Sequence, residues 1–402
     1  MSIIKIKEGI YSVGVLNPNM RIFDVIMRTE FGTSYNAYLI TGKKNILIDT
    51  VHAEFFDEYL ENIRSIVDPS KIDYVIMNHN EPDHSGSLAK LLEVAPQIKV
   101  LSSPGGKIYL DHITNRSALN VTSVKDGETL DIGDGKSLKF IHAPLLHWPD
   151  TMFTWMESDK IAFTCDFLGC HYCEPRMFDN HISYPTFFER AFREYFDSIF
   201  SPFKSYVQKG LSKLNALDAD YVCTSHGPIL TKGVFLEMAK VRYDEWSRPF
   251  TGTSTKQIPI FYCSAYGNTA LLAREISKGI NSVRKDLHVD LYDINEYDDM
   301  RFLQEKMNES DAFLLGSPTI NKDAVSPVWS MACAIDAINC KGKPVSAFGS
   351  FGWSGEAVPG LIARLKSLKM NVFEEGFTCR FVPSKEELSN AFEFGARFAA
   401  GF

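Results

Sequence analysis

Short apolar runs separated by turn residues dominate the first 250 positions of the chain. Residues 36–40, 46–48, 74–77, 100–101, 138–141, 152–156, 161–164 and 221–224 are rich in β-branched and aromatic side chains and predict strands. Between them, wider-spaced apolar positions predict helices over about 54–67, 87–95, 105–115, 187–200 and 234–247. Phe188, Phe192, Phe196 and Phe200 recur every four residues, which places them on one helical face as core or subunit contact. This mixture predicts sheets packed between helices. After residue 257 the rhythm changes to strict alternation. Strands at 258–263, 287–293, 312–315 and 344–349 are spaced by helical segments such as 268–283, the pattern of a doubly wound parallel sheet. A polar stretch with Pro and Gly, residues 247–257, separates the two regimes. The reading is therefore two domains, 1–250 and 251–402, α+β or layered α/β followed by α/β.

Composition narrows the function classes. The 402 residues are 45% hydrophobic and 23% charged, ordinary for a globular protein. A formal charge of -8 argues against nucleic acid or an anionic membrane surface as partner. No apolar stretch approaches the roughly 20 residues of a membrane span. The first ten residues carry charges where a leader peptide needs an apolar core. The expectation is a soluble, cytoplasmic protein. Eight cysteines are scattered singly except Cys170-x-x-Cys173, and no second such pair exists to complete a zinc ribbon.

Four of the apolar runs lead into metal-ligand residue types. Residues 74–77 precede N-H-N-E-P-D-H, which contains His79, Glu81, Asp83 and His84. Residues 138–141 lead to His147, 161–164 to Asp166 and 221–224 to His226. Strand ends give rigid starting points from which loops can aim side chains into one cleft. The spacing resembles the metallo-β-lactamase superfamily, whose usual signature is H-x-H-x-D-H followed by His, Asp and His. Here Glu81 stands at the second histidine. Imidazole-rich sites suit zinc hydrolysis. Three carboxylates with imidazoles make a harder site, suited to iron or manganese.

Three loops in the second half point elsewhere. Ser264, Ala265, Tyr266, Gly267, Asn268 and Thr269 follow a strand and open a helix, so hydroxyls and free amides can cradle a phosphate. Ser317, Pro318, Thr319, Ile320 and Asn321 follow the next strand but one. Ser350, Phe351, Gly352, Trp353, Ser354 and Gly355 follow another, with Trp353 able to stack on a ring. Three such loops at the carboxyl ends of parallel strands resemble a flavodoxin-like FMN site.

Together the H-x-E-x-D-H signature, the later His147, Asp166 and His226, and the three loops resemble the flavodiiron proteins over essentially the whole chain. The resemblance implies an N-terminal metallo-β-lactamase-like αββα sandwich followed by a C-terminal flavodoxin-like doubly wound sheet. It implies FMN and two iron ions per subunit. His79, Glu81 and His147 would hold one iron, Asp83, His84 and His226 the other, with Asp166 between them. His171 is a candidate to hydrogen-bond a ligand or gate the pocket. The implied reaction is reduction of dioxygen to water, in a head-to-tail homodimer that could pair further into a dimer of dimers. The stretch C-D-F-L-G-C-H-Y-C-E-P-R-M-F is most like methanogen members, which implies reduced coenzyme F-420 as donor. Nitric-oxide reduction, or NADH or rubredoxin as donor, are the near alternatives. A zinc hydrolase fused to a flavodoxin module and an electron carrier with a vestigial metal site are the distant ones.

Overall fold

The computed structural model describes residues 3–25, 27–116, 119–248, 255–283 and 286–401. The chain divides into two compact units, Met1–Pro249 and Phe250–Phe402. Of the seam anticipated at 247–257, residues 249–254 lie outside the described residues.

In the first unit two sheets stack face to face. One has seven strands in the order Ile4–Lys7, Ile10–Ser12, Tyr38–Ile40, Ile46–Ile48, Tyr74–Met77, Lys99–Ser102 and Val121–Ser123. Its first four strands are antiparallel, and pairing turns parallel from Ile46–Ile48 onward. The second has six strands, Thr129–Gly133, Lys136–His142, Met152–Met156, Ile161–Cys165, Tyr221–Thr224 and Leu230–Thr231. Alternation along each strand divides side chains between layers. Ile46, Ile48 and Ile76 point between the sheets and meet Phe140, Met152 and Phe163. Leu47, Val75 and Met77 point the other way, onto Tyr59, Leu60 and Leu91 of the flanking helices. Phe153, Trp155 and Val222 of the second sheet face Phe188, Phe192, Leu211 and Tyr243. The result is an αββα sandwich. Each fully buried Leu, Ile or Phe contributes on the order of 1.5–3 kcal/mol, so three apolar layers fix the register of both sheets.

The expected helix over 187–200 is only partly α. Pro185–Tyr195 is α-helical, and Phe196–Phe200 continues as a π-turn. The helix Lys204–Asn215 was not anticipated, because Pro202 and Gly210 interrupt the local pattern. Its Val207, Leu211 and Leu214 nonetheless form one buried face.

The second unit is a parallel sheet in the order Leu291–Asp293, Ile260–Tyr262, Phe313–Gly316 and Pro344–Phe351, with Asn371–Val372 and Phe377–Arg380 both pairing to the last of these. Helices cover both faces. Asn268–Val283 and Lys385–Ala400 pack on one side, and Met300–Glu309, Ser326–Cys333 and Ala357–Ser367 on the other. The first pair cross at glycines. A Cβ on Gly279 would lie 1.9 Å from the Phe392 carbonyl oxygen, and one on Gly395 would lie 2.1 Å from that of Ile276. Ile260–Tyr262 has later strands on both sides, so the strand order reverses beside it and opens a crevice at the carboxyl ends. Among the described residues no helix is long and apolar enough to cross a membrane.

Candidate metal centre and flavin loops

Both sheets of the first unit deliver ligand-type side chains to one rim of the sandwich. His79 follows Tyr74–Met77, and Glu81 precedes a one-turn helix, Pro82–Ser85, that carries Asp83 and His84. Pro82 at the first helical position suits this turn, because its missing N–H would have no partner there anyway. His147 comes from the loop between Lys136–His142 and Met152–Met156. Asp166 directly follows Ile161–Cys165, and His226 follows Tyr221–Thr224.

The seven side chains form two groups, His79, Glu81, His147 and Asp166, and Asp83, His84 and His226. In the first, Glu81 Oε2 lies 2.9 Å from His147 Nε2 and 3.2 Å from His79 Nε2. Asp166 Oδ2 is 3.3 Å from His79 Nε2 and 3.5 Å from His147 Nε2. In the second, Asp83 lies 3.0 Å from His226 Nε2 through Oδ2 and 3.3 Å from His84 Nε2 through Oδ1. The other oxygen of Asp166, Oδ1, is 3.1 Å from His84 Nε2 and 3.5 Å from His226 Nε2. Asp166 thus turns one oxygen toward each group.

These separations are those of ligands sharing a cation. Donors about 2.1 Å from one ion lie about 3.0 Å apart at octahedral and about 3.4 Å at tetrahedral angles. Both oxygens of Asp83, both of Asp166 and both ring nitrogens of His84 are buried and make no aligned hydrogen bond. Buried polar atoms left this way cost free energy unless another partner satisfies them. The donor set therefore fits two metal ions.

Electrostatics within the cluster are mutual. Burial alone would push the carboxyls up. The imidazoles of His147 and His79 instead hold Glu81 well below the usual range, and those of His84, His147 and His79 do the same to Asp166. Burial opposes a charge on His84, yet Asp83 and Asp166 lift it to about 9. The neighbouring carboxylates likewise raise His79 and His147 against the opposing effect of burial.

Further residues surround the ligands. Asp49, at φ 56°, accepts a hydrogen bond of 2.7 Å from the Asn78 amide and one of 3.4 Å from that of His79. Burial pushes its carboxyl up to about 7. His226 Nδ1 donates to the Ser34 carbonyl at 2.7 Å. Asp150, in H-W-P-D, faces His79. An acid after a proline reads as an ordinary turn, which is why it carried no signal. His171 is buried beside His226, with ring centroids 4.8 Å apart, but its Nδ1 pairs with Thr33 Oγ1 at 2.9 Å rather than with a ligand. Trp148 packs edge-on to His79.

The π-turn supplies two further aromatic walls. In an α-helix residues five apart point about 140° from one another. Across the wider turn Tyr195 and Phe200 come together, with ring centroids 6.0 Å apart. Tyr195 sits against His171 and His226, and Phe200 against His147. π-turns of this kind recur at functional sites.

In the second unit the three loops do meet. Thr269 Oγ1 and Ser350 Oγ are 2.9 Å apart and join the first loop to the third. Ser317 accepts from the Val325 amide at 3.0 Å, and the Ala357 amide reaches Thr319 Oγ1 at 3.4 Å. Gly349 permits the close pass, since a Cβ there would lie 2.0 Å from the Ser317 carbonyl oxygen. Tyr266 and Trp353 stand 93% and 80% exposed on the first and third loops. Ser264 to Thr269 open the 16-residue helix Asn268–Val283, an anion-favouring terminus. Small residues, hydroxyls and two open aromatic faces suit a phosphorylated planar ring.

Comparison with known proteins agrees with this division. The ODP family beta lactamase model matches residues 33–227, and the Flavodoxin model matches residues 260–395. The flavo-diiron protein FprA2 of Clostridium acetobutylicum is 64% identical over 399 residues, 99% of each chain. The anaerobic nitric oxide reductase flavorubredoxin of Salmonella arizonae is 34% identical over 369 residues, 91% of this chain and 75% of that one. The solved rubredoxin oxygen:oxidoreductase of Desulfovibrio gigas superposes with a TM-score of 0.69 at 29% identity, covering 99% of this chain and 98% of that one. Two metal groups on a lactamase-type sandwich, a flavodoxin-type unit and full-length identity of this order lead to one conclusion: the chain belongs to the flavodiiron proteins, a family of oxidoreductases.

Proposed function

We propose that the protein reduces dioxygen to water, with FMN at the three loops and two irons at the seven-residue centre. The observation that carries this reading is Asp166, whose two oxygens face the two ligand groups separately. Iron supplies one-electron chemistry and affinity for diatomic gases, and FMN turns a two-electron delivery into single electrons. His79, Glu81, His147 and Asp166 would hold one ion, and Asp83, His84, His226 and Asp166 the other. Three carboxylates offset most of the charge of two divalent ions, so the centre stays near neutral inside an apolar wall. Tyr195, Phe200 and Phe23 form that wall and keep bulk water off the ligands. Thr33 hydrogen-bonds His171 and holds it against His226. In the second unit Trp353 and Tyr266 would stack on the flavin ring, and the amides opening Asn268–Val283 would bind its phosphate.

Full reduction of one dioxygen takes four electrons and four protons and yields two waters. The donor in this reading is reduced coenzyme F-420, supported by the likeness of residues 165–178 to methanogen members. A head-to-tail homodimer, bringing one subunit's flavin to the other's irons, belongs to the same reading. The second reading is nitric-oxide reduction, two molecules giving nitrous oxide and water, favoured by the likeness to the Salmonella flavorubredoxin. Anaerobic flavin bleaching by reduced coenzyme F-420, NADH and reduced rubredoxin identifies the donor, and turnover with each gas then ranks the substrates. Faster bleaching by the deazaflavin and faster turnover of oxygen are expected. Rapid bleaching by NADH alone would sink the donor assignment, and a large preference for nitric oxide would sink the substrate assignment.

A further inference from the structure

The two ligand groups differ in what stands behind their histidines. Asp150 is fully buried, and its Oδ2 lies 3.4 Å from His79 Nδ1. The same oxygen accepts from the Asn80 amide at 2.8 Å and from Asn80 Nδ2 at 2.9 Å. Its other oxygen, Oδ1, is buried without a hydrogen-bond partner. The backbone of Asp150 is pinned as well. Ser103 Oγ donates to its carbonyl at 2.6 Å, and a Cβ on Gly105 would sit 3.1 Å from its Cα. The backbone of Asp150 is thus tied to the start of the helix Pro104–Ile113, and Asn80 holds its carboxylate beside His79.

Among the described residues, no outer ring nitrogen of the second group meets a carboxylate; the buried Asp49 carboxyl faces His84 and His79 alike and does not separate the groups. His226 Nδ1 meets the neutral carbonyl of Ser34 at 2.7 Å, with Thr33 Oγ1 at 3.4 Å. His84 Nδ1 is buried with no hydrogen-bond partner. A carboxylate that accepts from the outer nitrogen of a ligating imidazole fixes the tautomer, leaves Nε2 free to bind metal, and raises the basicity of the ring. A buried anion also favours the higher charge state of a nearby ion, because little solvent screens it.

We propose that Asp150 is a positioning residue that makes the two halves of the centre unequal: the ion held by His79, Glu81 and His147 is the more readily oxidised of the two. The inference rests on the iron reading above and concerns only the order in which the two ions change charge. Asp150→Asn keeps an oxygen for His79 Nδ1 and removes the charge, whereas Asp150→Ala removes both.

The test is an anaerobic redox titration of wild type and Asp150→Asn followed by electron paramagnetic resonance and Mössbauer spectroscopy, with iron and flavin content measured on each. In Asp150→Asn two irons remain and the lower-potential iron step moves to higher potential while the other stays; a shift of the higher-potential step alone overturns the proposal. Asp150→Ala binds one iron about 10–100-fold more weakly and keeps the other. Both steps moving together, or neither moving, in a two-iron Asp150→Asn protein overturns the proposal. Half-reduced wild type gives a second reading: a valence-averaged pair, or a ferric ion confined to the site whose signature is unmoved in Asp150→Asn, overturns the proposal, and a ferric ion confined to the site whose signature Asp150→Asn shifts agrees with it. Wild type that purifies with zinc and no iron overturns the iron reading itself, and this inference with it.

Discussion

The metal centre and the flavin loops solve opposite problems. At the metal centre chemistry resides in side-chain identity, and the side chains are buried. His79 and His84 are 0% exposed, Asp166 1% and His226 2%. Each ligand sits against others of opposite charge, so the cluster is braced by its own members and by Asp49, Asp150 and Thr33. At the flavin loops chemistry resides in backbone amides and small residues, and the prominent side chains, Tyr266 and Trp353, face solvent. One site is specified by which residues are present, the other by where a parallel sheet turns its strand ends. A change in the first should therefore be chemical and severe, and a change in the second graded.

The largest test of that contrast is Asp166→Asn. Removing the anion that faces both groups should lower iron content and cut gas reduction by at least about 100-fold, with flavin content unchanged. Metal analysis beside flavin absorbance checks this. Loss of flavin together with iron would mean that the two sites are not separable in the way described.

Proton competition gives the next effect. Because Asp83 and Asp166 outweigh burial and lift His84 to about 9, the metal-free site holds a proton there at neutral pH. A group with a raised pKa keeps its proton until pH passes that value, so metal binding must displace it below about 9. Ferrous binding to metal-free protein, followed by anaerobic calorimetry, should strengthen by about tenfold per pH unit for each proton displaced, from pH 7 up to about 9. A plateau already at pH 7 would show that His84 is not coupled to the carboxylates as the distances require.

Trp353→Ala should have the smallest effect. The side chain stabilises little by packing, being 80% exposed, and an aromatic stack contributes about 0.5–1.5 kcal/mol. FMN affinity should fall by roughly 2- to 12-fold while the melting temperature of the apoprotein stays put. Fluorescence titration of FMN separates the two. A large fall in melting temperature would make Trp353 a structural anchor instead.

The seven ligand-type residues were legible in the sequence because each follows an apolar run that ends at a strand terminus. Strand ends are fixed by sheet pairing, so local letters predict position there. Asp150 was not legible: its partner His79 lies 71 residues away, and only sandwich closure brings them together. The phenylalanine repeat was read as one helical face in core or subunit contact, and Phe188, Phe192 and Phe196 are buried in the core with Tyr243 nearby. It was misleading about helix type. Four-residue spacing suits an α-helix, and nothing local announces the wider turn at Phe196–Phe200.

By itself the sequence determined the two regimes of periodicity, the seven ligand-type residues and the three strand-terminal loops, because these depend on residue type and short-range spacing. The family resemblance implied how the ligands divide into two groups; the tertiary structure alone decided which oxygen of Asp166 faces which group, and that among the described residues a buried carboxylate meets the outer ring nitrogen of His79. Those outcomes depend on angles and separations of a few ångströms between segments distant in sequence, set by how two sheets and their helices pack, and no local pattern encodes them.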